Sequence, residues 1–373
     1  MKFLFIDSSR GGWGTEQHLV SLASGLAAAG HGVVAVVKAG SAVERLLRRA
    51  GVTVYPTAFR GGADPRGLWT AARAIARHSP DWLVINRSKL YWTVWLLGRM
   101  MGVPIAAFRH LPYIRPYLTR CLFPRLVDRF FVVSDFARRQ LASEGAPAER
   151  LLRLYNPIET DRFQPNPALR QTVRRELGLN DADVLAAFVG RIERGKGVIQ
   201  VCEALHAAMA QSSALRMLWV GDGGGAATTR ALAAAGGYAQ RHAFVAWSAD
   251  VERYYAAVDV LVAPSIECET FGRVIAEAQC CGVPVIVSNI GGMPEAFAPG
   301  HSGILVAPQD SAALSRGMLL LAGSAELRAA MGAAGRKYAV TRFGAAGISR
   351  KFVRHLCNAP TPVSEEFDVK SAS

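Results

Sequence analysis

Short apolar runs alternate along the chain with longer segments in which apolar positions return every three or four residues. The first run, FLFID at residues 3–7, leads into a loop containing Gly11, Gly12 and Gly14. Leu19, Leu22, Ala23 and Leu26 then recur at helical spacing, and Gly30 stops the helix before a second apolar run, GVVAVVK. Strand, glycine loop, helix and strand make a βαβ unit. VTVYP, WLVIN, residues 103–108 and residues 130–133 read as further strands. A helix follows Asp64 and Pro65, and another begins at Ser134 or Asp135. This alternation predicts a doubly wound parallel sheet. YNPIETDRFQP, from Tyr155, breaks the pattern with proline and polar residues and reads as a linker. The alternation resumes with VLAAFVG, LRMLWVG, FVAW and residues 258–262, then passes into Ala-rich helices to about Tyr338.

A chain of 373 residues is long for one core and suits two domains. We divide it into 1–157 and 158–342, with residues 358–373, mixed polar and Pro-containing, as a mobile tail. Apolar residues make up 51% and charged residues 19%, a balance that folds. The first residues, MKFLFIDSSRGG, read as a strand and lack the long apolar region of a signal peptide. The longest apolar stretch, residues 90–108, is interrupted by Arg99, Gly102 and Pro104 and suits a helix followed by a buried strand, not a membrane span. Cys121, Cys202, Cys268, Cys280, Cys281 and Cys357 show no CxxC or zinc spacing, so they are expected to be reduced thiols in a cytoplasmic protein.

The net charge is +14, and arginines concentrate in the N-terminal half, among them Arg99, Arg115, Arg120 and Arg125. Solvated surface is one reading. Interleaving with Trp92, Trp95, Tyr113 and Tyr117 gives another, a face for an anionic membrane or a lipid-linked acceptor, at the inner side of the cytoplasmic membrane. No nucleic-acid module is recognisable, so nucleic acid is not an expected partner. The residues carry no signal for oligomeric state.

Candidate chemistry concentrates in residues 264–295, PSIECETFGRVIAEAQCCGVPVIVSNIGGMPE. An apolar strand runs into Pro264 and Ser265, a polar loop carries Glu267 and Glu269, and Thr270, Phe271 and Gly272 open a helix. Free N–H groups and a positive dipole at such a helix start receive anions. Glu277 lies in an apolar helix, where a charge is costly unless paired. Taken alone, Glu269 as a cap and Glu277 with a backbone or Arg partner would be the plainer reading.

The stretch is longer than that pair. Pro264, Ser265, Glu269, Phe271, Gly272, Glu277, Ala278, Gly282, Pro284, Val285, Gly291, Gly292, Pro294 and Glu295 resemble, in order, the Glu-x7-Glu region of glycosyltransferase family 4. These are retaining enzymes of the GT-B fold. The resemblance implies an α/β protein of two doubly wound Rossmann-like domains with a cleft between them, and a last helix, about residues 343–357, that crosses back to the first domain. It further implies that Glu269 contacts donor-sugar hydroxyls, that the N–H groups of Thr270, Phe271 and Gly272 hold sugar and phosphate, and that Glu277 holds the ribose.

Other positions match in turn. Gly190, Arg191, Lys196 and Gly197 reproduce the family's Gly-Arg-x4-Lys-Gly, and both cations can converge on one anion, by resemblance the donor diphosphate. Residues 13–18, WGTEQH, stand where the family has Gly-Gly-x-Glu-x-His, with Trp13 in place of the first Gly. Gly14 still lets backbone approach a diphosphate, and His18 is either near the cleft or packed on the sheet. His110 directly follows a strand, where open α/β sheets place ligands, and by resemblance lies beside the donor sugar and supports transfer. Asn156 and Phe163 match the interdomain segment, whereas Pro157 and Glu159 replace its Gly and Asp. Trp247 borders the nucleobase or anchors two loops. A nicotinamide site is set aside because Gln17 occupies the third glycine position of GxGxxG and Lys38 follows the second strand in place of an acid. Asp181-Ala182-Asp183 precedes a strand and is not read as a metal site, and no metal or cofactor is expected.

The expected reaction is transfer of a sugar from a nucleotide diphosphate sugar, UDP-linked in first preference, to the hydroxyl of a glycan or lipid-linked acceptor. Retained configuration and a role in bacterial lipopolysaccharide or exopolysaccharide synthesis are what the resemblance implies. Alternatives are a nucleotide-sugar epimerase or phosphorylase of the same architecture, and a non-catalytic nucleotide-sugar or anionic-membrane binding protein.

Overall fold

The computed structural model describes residues 1–12 and 14–357. Trp13 and the stretch from Asn358, expected as a tail, lie outside the described residues. The apolar runs form two parallel sheets. The first holds β1 (Lys2–Asp7), β2 (Gly32–Lys38), β3 (Thr53–Thr57), β4 (Trp82–Ile85), β5 (Ile105–Arg109), β6 (Arg129–Val132) and β7 (Leu151–Arg153) in the order β3-β2-β1-β4-β5-β6-β7. The second holds β8 (Val184–Val189), β9 (Leu215–Val220), β10 (His242–Val245), β11 (Val260–Ala263), β12 (Val285–Ser288) and β13 (Gly303–Val306) in the order β10-β9-β8-β11-β12-β13. Helices cover both faces, so central strands such as β4, β11 and β12 are buried throughout and read as unbroken apolar runs. Pro56 sits in β3, at the edge of its sheet, where a missing N–H is tolerated.

Strand order reverses between β1 and β4 in one sheet and between β8 and β11 in the other. At such a switch point the loops leaving the carboxyl ends of neighbouring strands diverge and open a crevice. Two crossings join the domains side by side. Ile158 N–H donates to the Phe343 carbonyl at 2.8 Å, and Ala345 N–H donates to the Ile158 carbonyl at 2.9 Å. The last helix, Ala345–Cys357, then packs on the first sheet, with the Phe352 ring 5.8, 5.6 and 5.2 Å from Phe3, Phe108 and Phe131. Phe352, together with Ile348 and Leu356, thereby extends the first domain's core with residues from the far end of the chain.

Candidate active site

The turn after β11 is shaped from below by two glycines. Gly291 has φ +60°, and a Cβ on it would lie 2.1 Å from the Glu269 carbonyl oxygen. One on Gly292 would lie 2.0 Å from the Thr270 oxygen. Only glycine admits this approach, and Gly292 N–H uses it to donate to the Glu269 carbonyl at 2.7 Å. The turn is thereby held at the start of the helix Arg273–Cys280, next to the β8/β11 switch point.

Glu269 is the charged centre of the turn. Its Oε1 accepts from the Ser265 hydroxyl and lies 2.9 Å from Lys196 Nζ, which comes from the loop after β8. Arg191, in the same loop, donates to Glu193 Oε1 at 2.9 Å and is half exposed. The two cations expected to converge on one anion therefore hold separate carboxylates. Phe271 is buried, 5.6 Å from Tyr155 and 5.1 Å from Phe343, so its side chain is core while its backbone belongs to the turn.

Glu277 pairs with an arginine of its own helix. Arg273 Nε donates to its Oε1 at 2.7 Å and the Tyr255 hydroxyl to its Oε2 at 3.2 Å. Burial raises the carboxyl above its ordinary value, against the pull of Arg273. Arg273 also reaches the first domain, donating to the Pro157 carbonyl at 2.8 Å and to Ser21 Oγ at 3.1 Å. Sequence reasoning missed Arg273, although its i,i+4 spacing from Glu277 is the signal for such a pair. Glu277 and Arg273 line a pocket that Gly14, Gly190, Gly221 and Trp247 also border. A Cβ on Gly14 would meet nothing within 4 Å, so its backbone faces open space in the cleft.

The first domain contributes the opposite wall from the ends of β1, β4 and β5. Asn86, just past β4, donates from Nδ2 to the Thr15 carbonyl at 3.0 Å, and its Oδ1 lies 2.7 Å from His110 Nε2. With that oxygen as acceptor, His110 carries its proton on Nε2. Burial and the nearby His18, Arg109 and Arg87 hold its pKa well below the ordinary value, so the ring is neutral at physiological pH. His18 is buried against the Phe108 and His110 rings, both 4.7 Å away, with Nδ1 2.9 Å from Asn156 Oδ1. Burial pushes its pKa down to about 3.

The walls touch directly. Thr270 Oγ1 donates to the His110 carbonyl at 2.6 Å. Glu295 reaches across from the second domain to accept the N–H groups of Asp135 and Phe136, at 2.8 and 2.7 Å, at the start of the helix Asp135–Ser143. A carboxylate at a helix N-terminus is favourable in charge and satisfies free donors, so closure is stabilised where the motif's last residue lies. Asp183, of the superficial DxD, sits at the amino end of β8, opposite the cleft, and pairs with Arg216 at 2.8 Å.

Two parallel Rossmann-like domains, joined by a double crossing and meeting across a cleft at both switch points, define the GT-B architecture of glycosyltransferases. Anabaena Alr3699/HepE, solved with UDP and glucose, superposes with a TM-score of 0.82 over 95% of this chain and 99% of that one, at 20% identity. Residues 13–162 match Glycosyltransferase Family 4 and residues 170–338 match Glycosyl transferases group 1. The GDP-mannose-dependent alpha-(1-6)-phosphatidylinositol monomannoside mannosyltransferase of Mycolicibacterium smegmatis is 30% identical over 339 residues, 80% of this chain and 88% of that enzyme. The D-inositol 3-phosphate glycosyltransferase of Segniliparus rotundus is 32% identical over 66% of this chain, and the match spans only 59% of that enzyme's length. The chain belongs to glycosyltransferase family 4.

Proposed function

We propose that the protein is a retaining glycosyltransferase that moves a sugar from a nucleoside diphosphate sugar to a hydroxyl of a glycan or lipid-linked acceptor, in cell-envelope glycan synthesis on the cytoplasmic side. The observation that carries this reading is the junction at which Lys196 and Glu269 meet at 2.9 Å and Thr270 binds the His110 carbonyl. A departing diphosphate needs its charge met as it leaves. Lys196, the neighbouring Arg191 and the start of the helix Arg273–Cys280 supply positive potential on one side of the cleft, so the proposed reaction uses no metal ion. Glu269, already beside Lys196 and the Ser265 hydroxyl, is suited to orient sugar hydroxyls as an ionised acceptor. The acceptor oxygen then attacks from the face the diphosphate leaves, and a diphosphate oxygen takes its proton. Neutral His110, fixed by Asn86, lines the sugar side without adding charge.

The nucleotide is the finer question. UDP follows from the sequence expectation, and GDP from the donor named for the M. smegmatis relative. A thermal-shift series with UDP, GDP, ADP and their sugar conjugates, in EDTA, decides between them. Ligand at about 100 times its Kd stabilises by about 2.7 kcal/mol. One nucleotide should raise Tm without metal, and proton NMR of the product should show the donor's anomeric configuration kept. No response to any nucleotide would sink the transferase reading, and an inverted product would remove retention from it.

A further inference from the structure

The first domain carries a surface that the cleft chemistry does not use. Of the fourteen large apolar side chains exposed among the described residues, nine fall within residues 92–126. They are ordered. On the helix Tyr91–Met101, Trp92, Leu96 and Met100 follow one another at i+4 and form a single stripe. On the helix Tyr117–Leu126, Leu118, Leu122 and Leu126 repeat the same spacing. The helices lie side by side, with Trp92 Nε1 donating to Thr119 Oγ1 at 3.0 Å and Trp95 Nε1 to the Leu126 carbonyl at 3.2 Å. Leu96, Met100, Leu118 and Tyr117 are between 55% and 77% exposed, far beyond what a solvated helix face requires.

Charge decides what this surface fits. No Asp or Glu occurs between Asp81 and Asp128, while Arg87, Lys89, Arg99, Arg109, Arg115, Arg120 and Arg125 do. Lys89, Arg99, Arg115 and Arg125 are exposed, and none of them is paired with a carboxylate among the described residues. Arg115 stands over the Tyr113 ring, 5.6 Å from its centre, which joins a cation to an interfacial aromatic. A second copy of this chain, also at +14, would offer the wrong charge. Apolar stripes flanked by unpaired cations and aromatic rings match a lipid surface carrying negative headgroups.

We propose that the helices Tyr91–Met101 and Tyr117–Leu126, with the loop between His110 and Tyr117, form the surface by which the protein docks on an anionic bilayer. The loop gives docking a consequence. Leu111 and Tyr113, exposed at 47% and 41%, follow directly on His110. The apolar face thus runs from the lip of the cleft to the far end of the helix pair. Docking sets that lip at headgroup level, where an acceptor anchored in the same bilayer reaches it. The statement about the acceptor rests on the transferase reading. Docking itself does not.

Flotation with vesicles of phosphatidylcholine alone, or of phosphatidylcholine with phosphatidylglycerol, tests it on the full chain. Binding is expected to the anionic vesicles, falling with added salt. The double variant Arg99→Gln/Arg115→Gln should lose about five-fold in partitioning per cation removed. Leu96→Ser/Leu122→Ser should lose binding while keeping wild-type Tm and wild-type nucleotide-induced Tm shifts. Equal partitioning of wild type and both variants would overturn the proposal, as would absence of binding to anionic vesicles. So would a wild-type dimer in light scattering that Leu96→Ser/Leu122→Ser dissolves, which would assign the face to self-association. Nucleotide-induced shifts test the transferase reading separately, since vesicle binding needs no donor.

Discussion

The donor-side turn and the outer face of the first domain are opposites in construction. In the turn, backbone meets backbone at distances only Gly291 and Gly292 allow, and Glu269 and Glu277 each hold a cation and a hydroxyl. On the outer face Trp92, Leu96 and Met100 point at solvent, and exposed cations lack carboxylate partners among the described residues. The first arrangement fixes individual atoms, as handling a reacting diphosphate requires. The second offers area and charge without fixing anything, which suits a fluid surface. Substitutions in the turn should therefore cost stability or turnover, and those outside should leave stability and nucleotide response unchanged while lowering vesicle binding.

The largest expected effect comes from Glu277→Ala. The sequence alone suggests that this change mainly weakens donor binding. The structure adds a second consequence, because Arg273, whose side chain is 9% exposed, loses its carboxylate. Breaking a buried pair from one side costs about 3 to 5 kcal/mol. Contacts to Pro157 and Ser21 remain, so the low end is expected. Denaturant melts of the protein without nucleotide read this directly, and an unchanged midpoint would return Glu277 to a purely ligand-binding role. Lys196→Ala should behave in the opposite way. Its pair with Glu269 is partly solvated and contributes at most about 1 kcal/mol to stability. Turnover should fall by about 10²- to 10³-fold, as when one fixed donor to developing negative charge is lost. A large drop in Tm with little change in kcat would reverse the assignment of the two residues.

Periodicity made both sheets legible, because buried parallel strands such as VLAAFV and WLVI are plain apolar runs and the intervening helices carry a 3.6-residue repeat. Glu269, Lys196 and Gly14 are singled out by motifs that resemble those of glycosyltransferase family 4, and His110 both by that resemblance and because it directly follows β5. What sequence did not reveal is which partner each side chain chooses. Arg191 turns to Glu193 and not to the group beside Lys196, and Glu295 caps a helix in the other domain. The Glu295 contacts join residues 160 and 159 positions apart and leave no periodic trace. The two apolar stripes of the outer face were half legible. The basic and aromatic content of residues 90–126 is visible in the chain, but it takes the packing of Trp92 on Thr119 and of Trp95 on Leu126 to align the two i+4 rows.

A smaller effect shows that the contrast runs between cleft and outer face, not between domains. His18 belongs to the first domain, yet it is as tightly held as anything in the donor turn, buried between Phe108, His110 and Asn156. Its folded pKa, about 3, lies below the unfolded value of 6.5. Below the unfolded value the unfolded chain therefore binds a proton that the folded chain refuses. Stability is full above about pH 6.5 and is lost as pH falls toward the folded pKa, by about 2 kcal/mol near pH 5 from this residue alone. His110, depressed for the same reason, acts in the same direction. Denaturant melts of wild type and His18→Gln between about pH 7 and 5 compare slopes, so the packing lost in the variant cancels. The wild type should lose stability more steeply, by about 1 kcal/mol per pH unit averaged over this range, as the unfolded chain takes up a proton that the folded chain refuses. Parallel slopes would mean that the His18 ring accepts a proton in the folded state, and the cleft wall would then be as open to solvent as the outer face.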